Sequence, residues 1–184
     1  MQRGKIIYLN GVSSSGKTTL AKALQGRLDE PYYWFSVDTF VNMTPEKFID
    51  NDLWLNAISG MYRSIKTFSD MGLNVIVDDV FDDSQELLDE VVEILHGHPV
   101  LFVHVTCPLD ELVRREKERG DREIGLSENQ LPQLCPLCQT YDITVDTHNN
   151  TIEECADRII EMLVNDENST AFNKLYKNRT QEEA

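Results

Sequence analysis

The stretch Asn10-Gly11-Val12-Ser13-Ser14-Ser15-Gly16-Lys17-Thr18-Thr19 constrains this chain more than any other. It follows an apolar run, Lys5-Ile6-Ile7-Tyr8-Leu9, and precedes an amphipathic run whose apolar positions are Leu20, Ala23, Leu24 and Leu28. Strand, glycine-rich loop and helix thus carry the spacing G-x-x-x-x-G-K-S/T from Gly11 to Thr18. Gly11 and Gly16 permit backbone conformations that a side chain would block, so consecutive N–H groups can turn inward around a phosphate. The helix that starts near Lys17 adds its positive N-terminal end. In such a loop Lys17 reaches the β- and γ-phosphates and the Thr18 hydroxyl ligates Mg²⁺. The expected phosphate contacts are therefore Gly11, Ser13, Ser14, Ser15, Gly16, Lys17, Thr18 and Thr19. A chance Gly-Ser turn would need neither the strand before it nor the helix after it.

What could approach this loop is bounded by charge. The 184 residues hold 17 Lys and Arg against 32 Asp and Glu, a formal net charge of −15. Such a surface repels nucleic acid and anionic membranes, so neither is expected as a partner, and an anionic ligand needs a local cationic pocket. No apolar stretch approaches a membrane span, and the N-terminus runs straight into a strand without a signal peptide, so a cytoplasmic location is expected. No sequence signal sets the oligomeric state.

Further strands are expected at Tyr32–Val37, Leu73–Val77, Val100–Thr106 and Ile143–Val145. Between the second and third, Thr44-Pro45 reads as a helix start, Ile58, Met61, Ile65 and Phe68 form an apolar stripe, and Gly72 closes it. Ser84 is the expected cap of the next helix, with Leu87, Leu88, Val91, Val92 and Leu95 inward, and Pro108 opens another. Glu118-Arg119-Gly120-Asp121-Arg122 is too polar for a core element. Thr151 with Glu154 forms a capping box ahead of a last core helix through Ile152, Cys155, Ile159, Ile160 and Leu163. Alternating strands and helices predict one α/β domain over residues 1–164, a parallel sheet covered on both faces, with the site at the strands' carboxyl ends. The insertion spans about 40–71, a lid about 115–130, and 165–184 is a polar tail that is either disordered or a short appended helix.

Three acids fall at strand ends. An apolar run ending in Asp78 is the pattern of a Mg²⁺-positioning aspartate, unless it marks only a solvated loop. Asp38 should project into the crevice, where it could accept the proton of an attacking hydroxyl, cap a helix, or touch the metal. Asp79 could orient the acceptor or act as the base instead. Arg115, Arg119 and Arg122 are the concentrated positive charge and could hold phosphates beneath a closing lid; the competing reading pairs these arginines and Arg114 with Glu111, Glu116 and Glu118 on the surface. Cys135-Pro136-Leu137-Cys138 is half a zinc site with His148 as a conceivable third ligand, and reduced bystander thiols are the simpler reading. Cys107 and Cys155 read as small buried hydrophobes, and His96, His98 and His104 as structural.

Together these segments resemble the chloramphenicol phosphotransferase-like family of P-loop kinases. Leu9-Asn10-Gly11 with Ser13-Ser14 and Gly16-Lys17-Thr18 resembles its phosphate loop. Phe35-Ser36-Val37-Asp38-Thr39-Phe40 is similar to its second-strand motif, and Ile76-Val77-Asp78-Asp79-Val80-Phe81 to its third. Arg115 and Arg119-Gly120-Asp121-Arg122 with Gly125-Leu126 resemble its lid, and Tyr141-Asp142 with Val145-Asp146-Thr147 the approach to its last helix. The pieces run in the family's order from about Lys5 to Leu163. The family carries a histidine-x-glycine turn just before the position of Tyr141, where this chain has Pro136-Leu137-Cys138, and the insertion from Phe40 to Phe68 has its own pattern with Trp54 and Tyr62.

The resemblance implies a three-layer P-loop fold with a five-stranded parallel sheet in the order 2-3-1-4-5. It also implies ATP and Mg²⁺ as cofactors, Asp38 as general base, and transfer of the γ-phosphate to a small-molecule hydroxyl, as in chloramphenicol 3-O-phosphorylation. Catalysis is then expected from Asp38, Lys17 and Arg122, nucleotide contacts also from Arg115 and Arg119, Mg²⁺ at Thr18 and Asp78, and acceptor contacts from Asp38, Asp79, Phe40 and Trp54. A shikimate- or gluconate-type kinase, or a nucleotide-binding regulatory module, would share the loop.

Overall fold

The computed structural model describes residues 2–81, 85–120, 125–137, 140–164 and 170–182. Its centre is β1 (Ile6–Asn10), buried along its whole length. A strand of this kind, buried at every position and apolar through Leu9, belongs where helices cover both faces of a parallel sheet. It pairs in parallel with β3 (Asn74–Asp79) on one side and β4 (Val100–Thr106) on the other. With β2 (Tyr32–Ser36) and β5 (Ile143–Asp146) the sheet runs β2-β3-β1-β4-β5. This is the expected order.

Side chains alternate across the sheet with period two. Ile6, Tyr8, Val75, Val77, Val100 and Phe102 face one way, towards α3 (Asn51–Asp70), α4 (Gln85–Ile94) and α8 (Ala171–Glu182). Ile7, Leu9, Ile76, Leu101, Val103 and Val105 face the other, towards α1 (Lys17–Arg27) and α7 (Ile152–Val164). No helix among the described residues is long and apolar enough to cross a membrane.

The termini of the elements differ from expectation in instructive ways. Asp78 and Asp79 lie within β3, in register with Leu9 and Asn10, rather than beyond its end. After β2 the chain turns at once into a short α2 (Val37–Val41). Thr44-Pro45 leads only into a 3-10 turn at Glu46–Phe48, and α3 begins at Asn51 behind Asp50, whose Oδ1 accepts from Leu53 N at 2.8 Å. Asp50, directly before the helix, takes the cap in place of the threonine. Gly72 closes α3 with φ +79°; its N–H reaches Ser69 O at 2.9 Å and Leu73 N reaches Phe68 O at 3.0 Å, the paired bonds of a Schellman ending. The capping box of α7 is reciprocal: Thr151 N donates to Glu154 Oε2 at 2.8 Å and Glu154 N to Thr151 Oγ1 at 3.1 Å.

Helix α5 (Leu109–Arg119) takes in Glu118 and Arg119, the first part of the segment expected to be irregular, and ends at Gly120 with φ +68°. It is followed by α6 (Leu126–Leu137). Ser84, Cys138 and Arg122 lie outside the described residues, as does the side chain of Cys135 within α6, so the cap and zinc readings fall there. Residues 171–182, set apart by composition as a tail, form α8 and bury Ala171 and Phe172 in the core.

Candidate active site

The loop after β1 wraps over the carboxyl edge of the sheet. Gly11 is required by proximity: a Cβ there would lie 2.3 Å from the Val105 carbonyl oxygen of β4. Gly16 is required by conformation, with φ +97°, and Ser14 shares the left-handed region at φ +62°. The loop is pinned from outside by Thr147, just past β5, whose hydroxyl donates to Ser15 O at 2.7 Å. Arg115 of α5 donates to Thr147 Oγ1 and Thr147 O, each at 3.0 Å, and to Ser14 O at 3.4 Å.

Lys17 is nearly buried, and its Nζ donates to Gly11 O at 2.7 Å and Val12 O at 3.0 Å, with Asp78 Oδ1 3.8 Å away. Thr18 Oγ1 donates to Asp78 Oδ2 at 2.7 Å. Asp38 is exposed in the first turn of α2, where Ser36 takes the capping role by accepting from Thr39 N at 3.2 Å. The capping explanation for Asp38 therefore fails; its carboxylate lines the cavity.

That cavity, about 660 Å³, joins the expected groups: Ser13, Ser14, Gly16, Lys17, Thr18 and Thr19 of the loop and α1, Asp38 of α2, Asp78 and Asp79 of β3, and Arg115 and Arg119 of α5. The loop also fits a phosphate by an independent criterion. Ser14 Oγ and Ser15 Oγ are buried with no hydrogen-bond partner among the described residues, a state that costs stability unless a polar ligand completes it. Thr18 and Asp78 offer hydroxyl and carboxylate oxygens side by side, the donor chemistry a hard divalent cation selects.

A family model described as chloramphenicol phosphotransferase-like protein matches residues 4–164. The chain belongs to the chloramphenicol phosphotransferase-like family. A protein of Mycobacterium tuberculosis named provisionally as an O-phosphotransferase is 31% identical over 204 residues, covering 96% of this chain and 90% of its own. An adenylyl-sulfate kinase of Clostridium acetobutylicum is 25% identical, covering 88% of this chain and 84% of its own. Among solved structures, the Mycobacterium tuberculosis APS kinase in complex with AMPPNP and APS superposes with a TM-score of 0.71 at 19% identity, covering 89% of this chain and 99% of the other. At that identity the likeness is one of fold, and the fold is that of a P-loop kinase. Membership of the chloramphenicol phosphotransferase-like family makes this chain a kinase or phosphotransferase.

Within that frame several expectations need correction. Asp79 does not present a free carboxylate to act as base. Its Oδ2 accepts from Tyr8 Oη at 2.5 Å and Tyr62 Oη at 3.0 Å, and its Oδ1 from Val80 N at 2.7 Å. Burial pushes its pKa up to about 6, against the lowering effect of these bonds and of Lys17. Phe40 stacks on Phe35 with centroids 5.6 Å apart, and Trp54 packs against the same core. Neither lines the cavity; its apolar walls near Asp38 are Trp34, Val37 and Val80. Arg114 is committed to surface pairs with Glu111, at 2.7 Å, and Glu118. Glu111, held by Arg114 and then by Arg115, drops to about 2. Glu116 is fully buried and accepts from Gly125 N and Ser127 N of the α6 start.

The roles of Thr147, Gln130 and the tyrosine pair on Asp79 were not read from the sequence. Thr147 carried a usable signal, since a small polar residue just past a strand end sits at the site edge of any such sheet. Tyr8 sits in the apolar run of the first strand and reads as core, while Tyr62 stands out in the insertion's pattern without any tie to Asp79. His104 stacks on Tyr141 at 4.6 Å, and Tyr141 Oη accepts from Asn10 Nδ2 at 2.9 Å, so the residue preceding the loop is also held from the β5 side.

Proposed function

We propose that this chain is an ATP-dependent phosphotransferase that moves the γ-phosphoryl group to a hydroxyl of a small molecule, with Asp38 as the general base. The carrying observation is that Asp38, exposed and not used as a helix cap, opens into the same cavity as Lys17, Thr18 and Asp78. The acceptor oxygen bonds to the γ-phosphorus as the bond to the β,γ-bridging oxygen breaks. That electron pair leaves with ADP, and the acceptor proton passes to Asp38. Lys17 and the loop amides hold the phosphates, and Arg115 and Arg119, joined by Arg122, offset negative charge on the nucleotide. Thr18 and Asp78 are the residues to hold Mg²⁺, which when bound neutralises charge on the phosphate oxygens.

The acceptor occupies the side of the cavity lined by Val37, Asp38, Thr39 and Val80. Chloramphenicol, through its 3-hydroxyl, is the first compound to try, and ATP supply places the reaction in the cytoplasm. The test is a screen of hydroxyl compounds that follows ADP release by wild type and Asp38→Asn. An accepted alcohol accelerates ADP release in wild type, whereas Asp38→Asn retains ATP affinity and loses about 10²- to 10⁴-fold in acceptor-dependent turnover. Wild-type turnover by Asp38→Asn removes Asp38 as base. If no alcohol accelerates ADP release, the chain is a nucleotide-binding module instead.

A further inference from the structure

Helices α5 and α6 grip adjacent residues of the phosphate loop. From α5, Arg115 donates to Ser14 O at 3.4 Å. From α6, Gln130 presents its side-chain oxygen to Ser13 N at 2.7 Å. Gln130 is only 5% exposed, yet it lines the cavity alongside Ser13, Ser14 and Lys17. The two helices are joined by two hydrogen bonds of their own. Glu116 follows Arg115 directly and accepts from Ser127 N at 2.7 Å and Gly125 N at 3.0 Å, which fixes the start of α6 against α5.

The end of the loop that Gln130 touches can be assigned. Lys17, the residue of such a loop that reaches the β- and γ-phosphates, places its ammonium against Gly11 O and Val12 O. The strand-side end of the loop is therefore the terminal-phosphate end, and Ser13 is the next residue along. A neutral carboxamide suits that place. It satisfies the amide beside the most anionic part of a nucleoside triphosphate without adding charge.

We propose that Gln130 is a positioning residue that ties α6 to the terminal-phosphate end of the loop through Ser13 and so favours nucleoside triphosphate over diphosphate. The inference rests on the nucleotide-binding part of the function proposed above. It predicts that occupancy of the terminal-phosphate position and the seating of α6 are coupled, because both act on the Ser13 segment.

The test uses the full chain and two probes with Mg²⁺, AMPPNP and ADP, titrated calorimetrically. Gln130→Glu keeps the side-chain length and an acceptor for Ser13 N but brings a negative charge to the site. Gln130→Leu removes the acceptor at similar volume. Both variants are expected to lose about tenfold or more in AMPPNP affinity and less than about threefold in ADP affinity, the size of the effect of one hydrogen bond or one nearby charge on the placement of the Ser13 segment. A merely structural role lowers both affinities together, so an AMPPNP-to-ADP ratio within about twofold of wild type in the folded variants overturns the proposal. Circular dichroism shows whether each variant folds; if Gln130→Leu does not, Gln130→Ala, which also removes the acceptor, decides in its place. Wild type that binds neither probe defeats the nucleotide reading itself, and this inference with it. Wild type that binds both, with unchanged ratios in the variants, defeats only the role of Gln130.

Discussion

Thr18 Oγ1 donates to Asp78 Oδ2 across 2.7 Å, joining the first turn of α1 to the end of β3. The pair also sets the charge around Lys17, whose Nζ lies 3.8 Å from the other Asp78 oxygen. Asp78→Asn preserves an oxygen for the Thr18 hydroxyl and removes the charge. Nucleotide titrations with Mg²⁺ and with EDTA should then separate. Affinity in Mg²⁺ falls about tenfold or more, while affinity in EDTA holds or rises as repulsion of the phosphates is relieved. Equal losses in both conditions would remove Asp78 from metal binding.

Asp79 gives a prediction with a definite sign. Its folded-state pKa is raised from 3.8 to about 6, so between these values the folded protein binds more protons at this site than the unfolded chain. Its contribution to stability is fully present below the unfolded value and is lost as pH rises through the folded one. Two pKa units correspond to about 3 kcal/mol. Urea unfolding of wild type and Asp79→Asn at pH 4.5 and 7.5 should therefore show wild type losing ground to the variant by about 2 to 3 kcal/mol between the two conditions. A difference that does not change with pH would mean that the carboxylate is ionised throughout.

The same residue shows where sequence reading stops. The strand-loop-helix of Ile6 to Leu24 and the helix end at Gly72 were legible because each is local, a spacing, a periodicity, a glycine, whereas the strand order followed from the family resemblance. Asp79 was legible as an acid at a strand end, but its role depends on Tyr62, seventeen positions away on α3, and Tyr8 on β1. Tyr8 does not differ in pattern from an ordinary core residue, and nothing local ties Tyr62 to Asp79. Gln130 is harder still, since nothing near it in the chain refers to Ser13. Phe40 and Trp54 were misassigned for the converse reason: aromatics of the insertion were expected at the acceptor, whereas packing of Phe40 on Phe35 and of Trp54 on the same core is the larger free-energy gain.

Glu116 holds α6 by two backbone bonds from a fully buried position. Glu116→Gln turns one acceptor into a donor that faces another donor. It should cost about 1 to 3 kcal/mol of local stability. Hydrogen exchange followed by mass spectrometry should show faster exchange across residues 125–131 with β1 unchanged. Unaltered exchange in α6 would show that the helix is held by other contacts.

The segment that composition set apart is built into the core. Phe172 is 5% exposed, with its ring centroid 5.6 Å from Tyr8 and 5.0 Å from Phe102. The start of α8 is held by Asp142, whose Oδ1 accepts from Thr170 N and Ala171 N while Oδ2 accepts from Phe102 N of β4. A polar average hid this, because Ala171, Phe172, Leu175 and Tyr176 are a narrow apolar stripe in a charged helix. Phe172→Ala should destabilise the protein by about 3 kcal/mol, as for other buried aromatic truncations. Removal of residues 165–184 should cost more, since it also strips the cover from Tyr8, the donor to Asp79. Urea midpoints measure both. An appendage would leave the midpoint where it is; an integral helix moves it, and the pH dependence assigned to Asp79 should weaken in the same truncated protein as water reaches that carboxylate.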